Sequence, residues 1–207
     1  CFSFEEKKCM TTGDGGMICS DNSELIESLR AKRWVGIDKN TWRRVKNYKE
    51  AENHDPMHWH YEISELGYKY NMNDIAASIG RVQLRKLDLM NDRRKKIINQ
   101  YINGISNLKS IKPMFPYDLD NGAYWFFGIR INQRNNLITY LSKNGISTGV
   151  HFYPLTLQPL FQGARHECKI SETIWETFVT LPSHADLSTE DIDYVLYHLA
   201  EFENKNQ

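Results

Sequence analysis

The sequence has no long apolar run and no excess of charge of either sign. No stretch reaches the ~18 consecutive apolar residues of a membrane-spanning helix, and the first residues include charged side chains too early for a signal peptide. Lysine plus arginine and aspartate plus glutamate both number 26, so the formal net charge is zero and there is no basic tail. We therefore expect no membrane span and no nucleic-acid partner.

Cysteine is scarce, and its four copies are scattered. Cys1, Cys9, Cys19 and Cys168 form no CxxC pair. In a chain of 207 residues this spacing is typical of reduced thiols in a cytoplasmic protein and not of a disulfide framework. With 41% hydrophobic and 25% charged residues, the composition is that of a globular protein, and the length fits one large domain or a domain plus part of another.

Periodicity and turn residues predict a mixture of helices and strands. Asn22 or Ser23 can cap the first helix, and Ser188 with Asp191 forms a capping-box pattern before the last. Residues 36–62 show no clean period, which predicts a long loop or hairpin. From residue 73 onward, alternating helix and strand signals indicate a small α+β domain. The predicted strands are 15–21, expected to be buried, 123–131 and 146–153; the predicted helices are 23–34, 73–106, 135–145 and 188–202.

Two adjacent lysines precede a glycine-rich turn in the first stretch, FSFEEKKCMTTGDGG (2–16). Gly13, Gly15 and Gly16 allow a sharp turn at positive φ, but the GxxxxGK[ST] pattern of a P-loop does not occur. A lysine that precedes the glycines instead suits a covalent bond to a carbonyl cofactor such as pyridoxal 5′-phosphate (PLP), whose phosphate Ser3 can bind. The alternative is a solvated lysine pair beside a hairpin turn.

A resemblance to a known family rests on four segments spread over nearly the whole chain. The segments are SFEEKKCMTTGDGGMICSDN (3–22), LGYKYNMNDIAASIGRVQLRKLDLMNDRR (66–94), NGISTGVHFYPLTLQPLF (144–161) and LPSHADLSTEDIDYV (181–195). In order and spacing they resemble the DegT/StrS-type family, the PLP-dependent sugar aminotransferases. The resemblance implies an α/β, fold type I enzyme that acts as a homodimer. Residues 1–70 would be the end of its large PLP-binding domain, with a loop exchanged between subunits, and residues 71–207 its small C-terminal α+β domain.

The resemblance identifies Lys8 as the catalytic lysine that binds PLP. The family lysine lies five residues after a serine that corresponds to Ser3, whereas Lys7 occupies a variable position. We expect Lys8 to be partly desolvated, to hold the cofactor, and to move a proton between substrate and cofactor once the substrate has displaced it. A related branch with histidine at this position performs dehydration, so the lysine favours transamination.

The same resemblance suggests two contacts for the cofactor phosphate. Ser3 is the first; its alternative is a strand-end serine that bonds to its own backbone. In the family's commoner GYNYR segment the first asparagine reaches the phosphate across the dimer, but here Lys69 takes its place and Asn71 replaces the arginine. A branch that acts on UDP-linked 4-keto pentoses departs similarly and uses an asparagine of the preceding loop. Asn47 is the matching candidate, and is otherwise an ordinary loop residue.

Residues of the sugar-nucleotide pocket are also implied. His151 matches a family histidine near this pocket, and we expect His151 and Tyr153 to bind substrate; the alternative for a strand histidine is a structural role. Arg43 and Arg44 can meet a diphosphate or be solvated. Three loop histidines have no cysteine nearby, so we expect no metal site. These are His54, His58 and His60.

The implied reaction transfers an amino group from glutamate to a keto carbon of a nucleotide-linked sugar. The GYKYN segment favours a UDP-linked 4-keto sugar as that substrate, and polysaccharide biosynthesis is the implied pathway. In this family an earlier half of the large domain supplies the aspartate for the PLP ring nitrogen and the aromatic residue that stacks on the ring. We therefore interpret the chain as the C-terminal portion of a longer enzyme and expect it to be inactive alone. The alternatives are a non-catalytic regulatory homologue of the same fold and a sugar dehydratase.

Overall fold

The protein forms two compact units in a computed structural model that describes residues 1–38, 61–161, 163 and 168–206. The N-terminal unit is Cys1–Leu84, and the C-terminal unit is Arg85–Gln207. The dividing point lies inside one continuous helix, α2 (Asp74–Ile105), since residues 84 and 85 both belong to it. The division between large and small functional domains after residue 70 remains a prediction.

The N-terminal unit begins with two short antiparallel strands, β1 (Phe2–Ser3) and β2 (Gly16–Met17). Phe2 pairs with Met17, and Ser3 pairs with Gly16. Only two residues of the predicted strand 15–21 are paired, and both are exposed. The prediction of a short buried strand over 15–21 is wrong in its burial and its bounds, because β1 is the one strand that pairs with β2 among the described residues, and both residues of β2 are exposed.

Helix α1 (Ser23–Lys32) begins at the first of the two caps suggested by the sequence. The side chain of Asn22 accepts a hydrogen bond from the N–H of Leu25 at 3.0 Å, which satisfies one of the free amides of the first turn. After α1, Trp34 forms an isolated antiparallel bridge with Lys69. This bridge brings the GYKYN segment beside the end of α1.

The C-terminal unit is built on a three-stranded antiparallel sheet with the strand order β3–β4–β5. Strand β4 lies in the centre, and all four of its residues pair with β5, from Phe127 opposite Leu181 to Arg130 opposite Phe178. The strands are β3 (Lys112–Pro113), β4 (Phe127–Arg130) and β5 (Phe178–Leu181). Besides α2, the helices are α3 (Arg134–Lys143), α4 (Lys169–Ile174) and α5 (Thr189–Lys205), with 3-10 turns at Leu155–Leu157 and Pro159–Phe161.

The hydrophobic core of the C-terminal unit combines residues of α2, the sheet, α3 and α5. Ile97, Tyr101 and Ile105 follow one another at four-residue spacing, so they lie on the same face of α2, and all three are buried. The ring of Tyr101 stacks on Phe127 with centroids 5.0 Å apart. Its hydroxyl donates to the carbonyl of Pro182 at 2.8 Å, and burial raises its pKa well above the usual value. Tyr101 is therefore a neutral donor that joins α2 to the end of β5.

Two polar arrangements fix the ends of α5. Ser188 accepts a hydrogen bond from the N–H of Asp191 at 3.1 Å, and the carboxylate of Asp191 accepts one from the N–H of Ser188 at 2.8 Å. This capping box confirms the predicted start of the helix. At the other end Glu203, which is 6% exposed, accepts hydrogen bonds from the backbone of Lys109 at 3.1 Å and from the backbone and hydroxyl of Ser110 at 2.6 and 2.5 Å.

The sequence predicted the helices better than the strands. Helices 73–106 and 135–145 are confirmed within two residues at each end, and the last helix continues to Lys205. The predicted strand 123–131 shortens to β4. The predicted strand 146–153 is wrong, because within it only Gly149 bridges to another segment, at Thr180. Strands β3 and β5 and helix α4 were not predicted.

Three further expectations concern membrane-spanning helices, disulfide bonds and the loop at 36–62. Within the described ranges, no helix is both long enough and apolar enough to cross a bilayer, and all four cysteines are free of disulfide bonds. Most of the loop predicted at 36–62 lies outside the described residues, and so do Arg43, Arg44, Asn47 and the three loop histidines.

Candidate active site

The turn that carries Lys8 is held against the end of β1. The N–H of Phe4 donates to the carbonyl of Gly15 at 2.9 Å, and the N–H of Thr12 donates to the carbonyl of Phe4 at 2.9 Å. The hydroxyl of Thr11 also donates to the carbonyl of Phe4, at 3.1 Å. The segment 5–11 therefore forms a closed loop whose two ends meet at Phe4.

The two adjacent lysines occupy different environments in this loop. The N–H of Lys8 donates to the carbonyl of Glu5 at 3.0 Å, which makes a tight turn. The side chain of Lys8 is 26% exposed, and its Nζ lies 3.9 Å from the carboxylate of Glu5. Lys7 is exposed, and its N–H donates to the side chain of Glu5 at 3.1 Å. Only Lys8 thus combines partial shielding from water with an accessible amine.

Ser3 lies on β1 and is exposed. Its hydroxyl oxygen accepts a hydrogen bond from the N–H of Glu5 at 3.5 Å. This distance is at the long end for a hydrogen bond, so the contact contributes little. The hydroxyl thus remains accessible to a ligand, and the role of Ser3 in phosphate binding stays a prediction.

The glycine turn uses its amides internally. Gly13 and Gly15 have φ angles of 83° and 117°, a region that favours glycine. The N–H of Gly13 donates to the hydroxyl of Thr11 at 2.9 Å, and that of Gly15 donates to the carboxylate of Asp14 at 2.9 Å. Because these two donors are engaged, the turn fits a structural role better than that of a phosphate cradle.

Gly16 is required by the close approach of β1. A Cβ atom at this position would lie 2.6 Å from the carbonyl oxygen of Phe2. Such a contact is far shorter than the van der Waals distance, and backbone cannot easily move aside. The absence of a side chain at Gly16 therefore allows the strand pairing that places Ser3 and the loop of Lys8.

A cavity of about 670 Å³ lies elsewhere in the N-terminal unit, between the glycine turn, the GYKYN segment and the first turns of α2. The Oδ1 atom of Asn71 is buried there and has no hydrogen-bond partner among the described residues. The ammonium of Lys69 lies 3.1 Å from the centroid of the Trp34 ring. Neither Lys8 nor Ser3 lines this cavity. Sequence reasoning gave Asn71 no role, although the departure from GYNYR marked the position.

The two predicted substrate residues lie in the C-terminal unit, on the segment between α3 and the 3-10 turns. The Nδ1 atom of His151 lies 3.0 Å from the hydroxyl of Thr180, and its ring packs edge-on against Trp125 with centroids 5.2 Å apart. The hydroxyl of Tyr153 donates weakly to the carbonyl of Leu157 at 3.5 Å. The structure thus places these predicted residues within one short segment, whereas Ser3 lies on β1 and Lys8 on the loop that follows it.

The side chains of Ser3 and Lys8 fit PLP by their chemistry. Lys8 offers an amine for the aldehyde, and its partial exposure leaves that amine reachable. Ser3 offers an exposed hydroxyl for the phosphate. These two residues would hold the cofactor on the N-terminal unit, together with Asn47 as predicted from the sequence.

Comparison with known proteins gives one consistent result. Residues 1–200 match the model of the DegT/DnrJ/EryC1/StrS aminotransferase family. A relative of uncharacterized function from Methanocaldococcus jannaschii is 33% identical over the whole chain, which covers 54% of that relative. The spore coat polysaccharide biosynthesis protein SpsC of Bacillus subtilis is 29% identical over 94% of the chain and 51% of SpsC. The chain therefore spans about half the length of these relatives.

Solved structures agree with the family match. The aminotransferase TlmJ from Streptoalloteichus hindustanus is 27% identical, with a TM-score of 0.82 over 99% of this chain and 52% of TlmJ. A protein described as a sugar aminotransferase, Spr1654 from Streptococcus pneumoniae, was solved in its PLP form; it is 26% identical, with a TM-score of 0.79 over 99% of this chain and 51% of its own. The predicted fold class is confirmed, as is PLP as the cofactor of the family. The chain belongs to the DegT/DnrJ/EryC1/StrS aminotransferase family.

Proposed function

We propose that the protein containing this chain is a cytoplasmic, homodimeric, PLP-dependent aminotransferase that acts on a nucleotide-linked sugar. It transfers an amino group from glutamate to a keto carbon of the sugar. The observation that carries the proposal is the position of Lys8: a half-buried lysine on a tight turn, five residues after Ser3, in a chain of an aminotransferase family. Residues 1–70 complete the large domain, and residues 71–207 form the small one.

Lys8 holds the cofactor and moves the proton. When bound, PLP supplies an aldehyde for amines and a ring that accepts the electron pair left when a proton leaves the neighbouring carbon. Lys8 would hold this aldehyde covalently through Nζ, with loss of water. When it is not bonded to the cofactor, its amine would accept the proton of the substrate carbon and return it. Glu5, 3.9 Å from Nζ, is close enough to steady the charged form of the amine between these steps.

Two side chains orient the cofactor by its phosphate. Ser3 donates from its hydroxyl, and its place on β1, opposite Gly16, fixes it relative to the loop of Lys8. Asn47 donates from its side-chain amide across the dimer. Two neutral donors from different subunits give the phosphate a defined orientation, so the cofactor-binding site is complete only in the dimer.

The nucleotide sugar binds to the C-terminal unit through His151 and Tyr153. Each has a ring fixed by aromatic contacts: His151 against Trp125 at 5.2 Å and Tyr153 against Trp175 at 4.7 Å. The GYKYN segment favours a UDP-linked 4-keto sugar as the acceptor, since the same departure from GYNYR occurs in the branch that acts on 4-keto pentoses. The SpsC relative is named for polysaccharide biosynthesis, and we place the reaction in such a pathway.

Covalent trapping tests the proposal. The full-length protein is incubated with PLP, reduced with borohydride and digested with a protease that cleaves after glutamate. Cleavage after Glu6 and Glu24 leaves both lysines in one peptide, 7–24, and its fragmentation between Lys7 and Lys8 assigns the label. We expect a pyridoxyl group on Lys8 and none on Lys7. The Lys7→Arg variant should keep the label and Lys8→Arg should lose it.

The outcomes separate the alternatives. Label on Lys7, or spread over surface lysines, would show that the residue assignment is wrong. A full-length protein that takes no label would favour a regulatory homologue. For the reaction, a UDP-linked 4-keto pentose is incubated with glutamate and the products are analysed by mass spectrometry. Release of 2-oxoglutarate with an amino sugar supports transamination, whereas a sugar that has lost a hydroxyl group and gained no nitrogen supports dehydration.

A further inference from the structure

Thr180, on β5, contacts the histidine predicted to bind substrate, although no sequence pattern assigned it a role. Thr180 is 4% exposed, and its hydroxyl lies 3.0 Å from Nδ1 of His151. Its backbone exchanges two hydrogen bonds with Gly149, at 3.1 and 2.8 Å. Because Gly149 lies two residues before His151, Thr180 holds this segment through both its backbone and its side chain.

The contact depends on the missing side chain of Gly149. A Cβ atom there would lie 2.6 Å from Cε1 of His151 and 2.9 Å from the hydroxyl oxygen of Thr180. Any larger residue would push the imidazole away from the hydroxyl. On another side, the ring meets the edge of Trp125. The imidazole is therefore fixed by the hydrogen bond with Thr180, by the close approach of the Gly149 backbone and by the edge-on contact with Trp125.

The hydrogen bond with Thr180 favours one position for the ring proton of His151. Among the described residues, the one hydrogen bond of this hydroxyl is with Nδ1 of His151. A buried hydroxyl proton left without an acceptor is unfavourable. The favoured arrangement has Thr180 donating to Nδ1. A neutral imidazole then carries its proton on Nε2, and that nitrogen is a hydrogen-bond donor.

We propose that Thr180 is a positioning residue that holds His151 in the Nε2–H form, so that His151 donates a hydrogen bond to an oxygen of the nucleotide sugar. The inference rests on the proposed function, in which His151 contacts the substrate. Hydroxyl, keto and phosphate oxygens are all acceptors, and a nucleotide-linked keto sugar carries each of them. A histidine in the other tautomer would present a lone pair, which repels keto and phosphate oxygens and can only accept from a hydroxyl.

Nitrogen NMR of the full-length protein, labelled with ¹⁵N-histidine, tests the tautomer without any turnover. His151→Gln assigns the signal. We expect wild type and Thr180→Ser to show a pyrrole-like Nε2 and a pyridine-like Nδ1 at neutral pH, and Thr180→Val to show averaged shifts for both nitrogens. Gly149→Ala, which keeps both groups but displaces the ring, should resemble Thr180→Val. A protonated Nδ1 in wild type, or an unchanged pattern in Thr180→Val, would overturn the inference.

Kinetics with a UDP-linked 4-keto pentose test the consequence for substrate. We expect Thr180→Val to raise the KM for the sugar about tenfold, the equivalent of one hydrogen bond, with kcat within about twofold. Thr180→Ser should restore the wild-type KM. The double variant with His151→Ala should show no further increase beyond His151→Ala alone, because both changes remove the same interaction. Thr139→Val, which removes an exposed hydroxyl bonded to Asn135 within α3, is the matched control.

The experiments distinguish a failure of the positioning role of Thr180 from a failure of the proposed substrate role of His151. If His151→Ala raises KM but Thr180→Val does not, the positioning role is wrong and the substrate role of His151 stands. If His151→Ala leaves KM unchanged, the histidine does not contact the sugar and the positioning inference is wrong with it. A wild-type protein that carries PLP on Lys8 but does not turn over this sugar contradicts the proposed substrate alone, and the NMR result then decides on Thr180.

Discussion

Lys7 and Lys8 are adjacent in the sequence, yet the turn after β1 gives them different surroundings. The N–H of Lys8 closes the turn onto the carbonyl of Glu5, and its side chain is partly shielded, whereas Lys7 is exposed. A covalent role needs an amine that is reachable but not fully hydrated. At the scale of single residues, the structure therefore supports Lys8 over Lys7.

Replacing each lysine by alanine separates the two roles in activity. We expect Lys8→Ala to lower kcat by about 10³-fold or more, since both the covalent attachment and the proton transfer are lost. Lys7→Ala should stay within about threefold of wild type. Single-turnover measurements of amino transfer by the full-length protein check this, and a similar loss for both variants would contradict the assignment.

Glu203 gives a prediction about acid stability. Burial acts to raise its pKa, but hydrogen bonds from the side chain and backbone of Ser110 and the backbone of Lys109 outweigh burial, and the pKa is lowered. The unfolded chain, with a glutamate pKa of about 4.3, therefore takes up the proton first as the pH falls. The stabilisation is complete at neutral pH and is lost as the pH drops below about 4 through the folded-state pKa.

Ser110→Ala tests this carboxylate site. Removal of one hydroxyl donor to a buried carboxylate should lower the free energy of unfolding by about 1–2 kcal/mol at pH 7. The difference from wild type should shrink at pH 3, because protonation of the carboxylate as the pH falls towards the lowered folded-state pKa removes the charge that the hydroxyl stabilises. Urea unfolding at both pH values measures it, with exposed Ser142→Ala on α3 as the control. An equal loss at both pH values would show that charge is not involved.

At the scale of secondary-structure elements, the sequence pattern predicts the helices well and the strands poorly. Helix α5 was predicted because Ser188 and Asp191 are three residues apart and close a local capping box. Strand β5 was missed because its four residues are all buried and show no alternation. The predicted strand after Gly145 fails for a related reason: strand pairing depends on partners distant in sequence, and only Gly149 finds one, at Thr180.

The cap of α5 predicts a measurable stability effect. Ser188→Ala removes the acceptor for the N–H of Asp191 and should lower the free energy of unfolding of the C-terminal unit by about 1 kcal/mol. Ser188→Asp, which keeps an acceptor, should recover most of this loss. Hydrogen exchange of the amides in the first turn of α5 follows the effect locally. Unchanged exchange in Ser188→Ala would show that the cap contributes nothing.

The candidate site follows the same division between local and distant signals. Lys8 and Ser3 were predicted from the resemblance of one short segment to the family, and the structure places both on one hairpin of the N-terminal unit. Thr180 was not predicted, because its contact with His151 is made between side chains that lie 29 residues apart in the sequence. Such partners carry no local signal and emerge only when the sheet is formed.

At the scale of the whole molecule, the chain spans about half the length of its relatives, and the proposed site needs a dimer. If Asn47 serves the active site of the other subunit, then Lys8→Arg and Asn47→Ala fall in the same site of a mixed dimer. One of its two sites carries both changes, and the other carries neither. This follows from the two-fold symmetry of a homodimer.

Subunit mixing therefore predicts recovery of activity from two inactive proteins. When full-length Lys8→Arg and Asn47→Ala variants are unfolded and refolded together in equal amounts, half of the dimers are mixed, and about a quarter of the wild-type activity should return. Each variant refolded alone is the control. No recovery, with mixed dimers confirmed by mass spectrometry, would place Asn47 in its own subunit's site or outside the site.

Helix α2 sets a practical rule for dissecting this protein. The compact units divide between residues 84 and 85, but α2 runs through that point as one helix of 32 residues, ~48 Å long. A gene fragment that starts at Arg85 would expose four uncapped backbone N–H groups in mid-helix. A fragment that starts before Asn73, whose side chain accepts the N–H of Ala76 at 2.8 Å, would keep the native helix start. The useful boundary for expressing the C-terminal part is thus the N-terminal start of α2, not the border between the units.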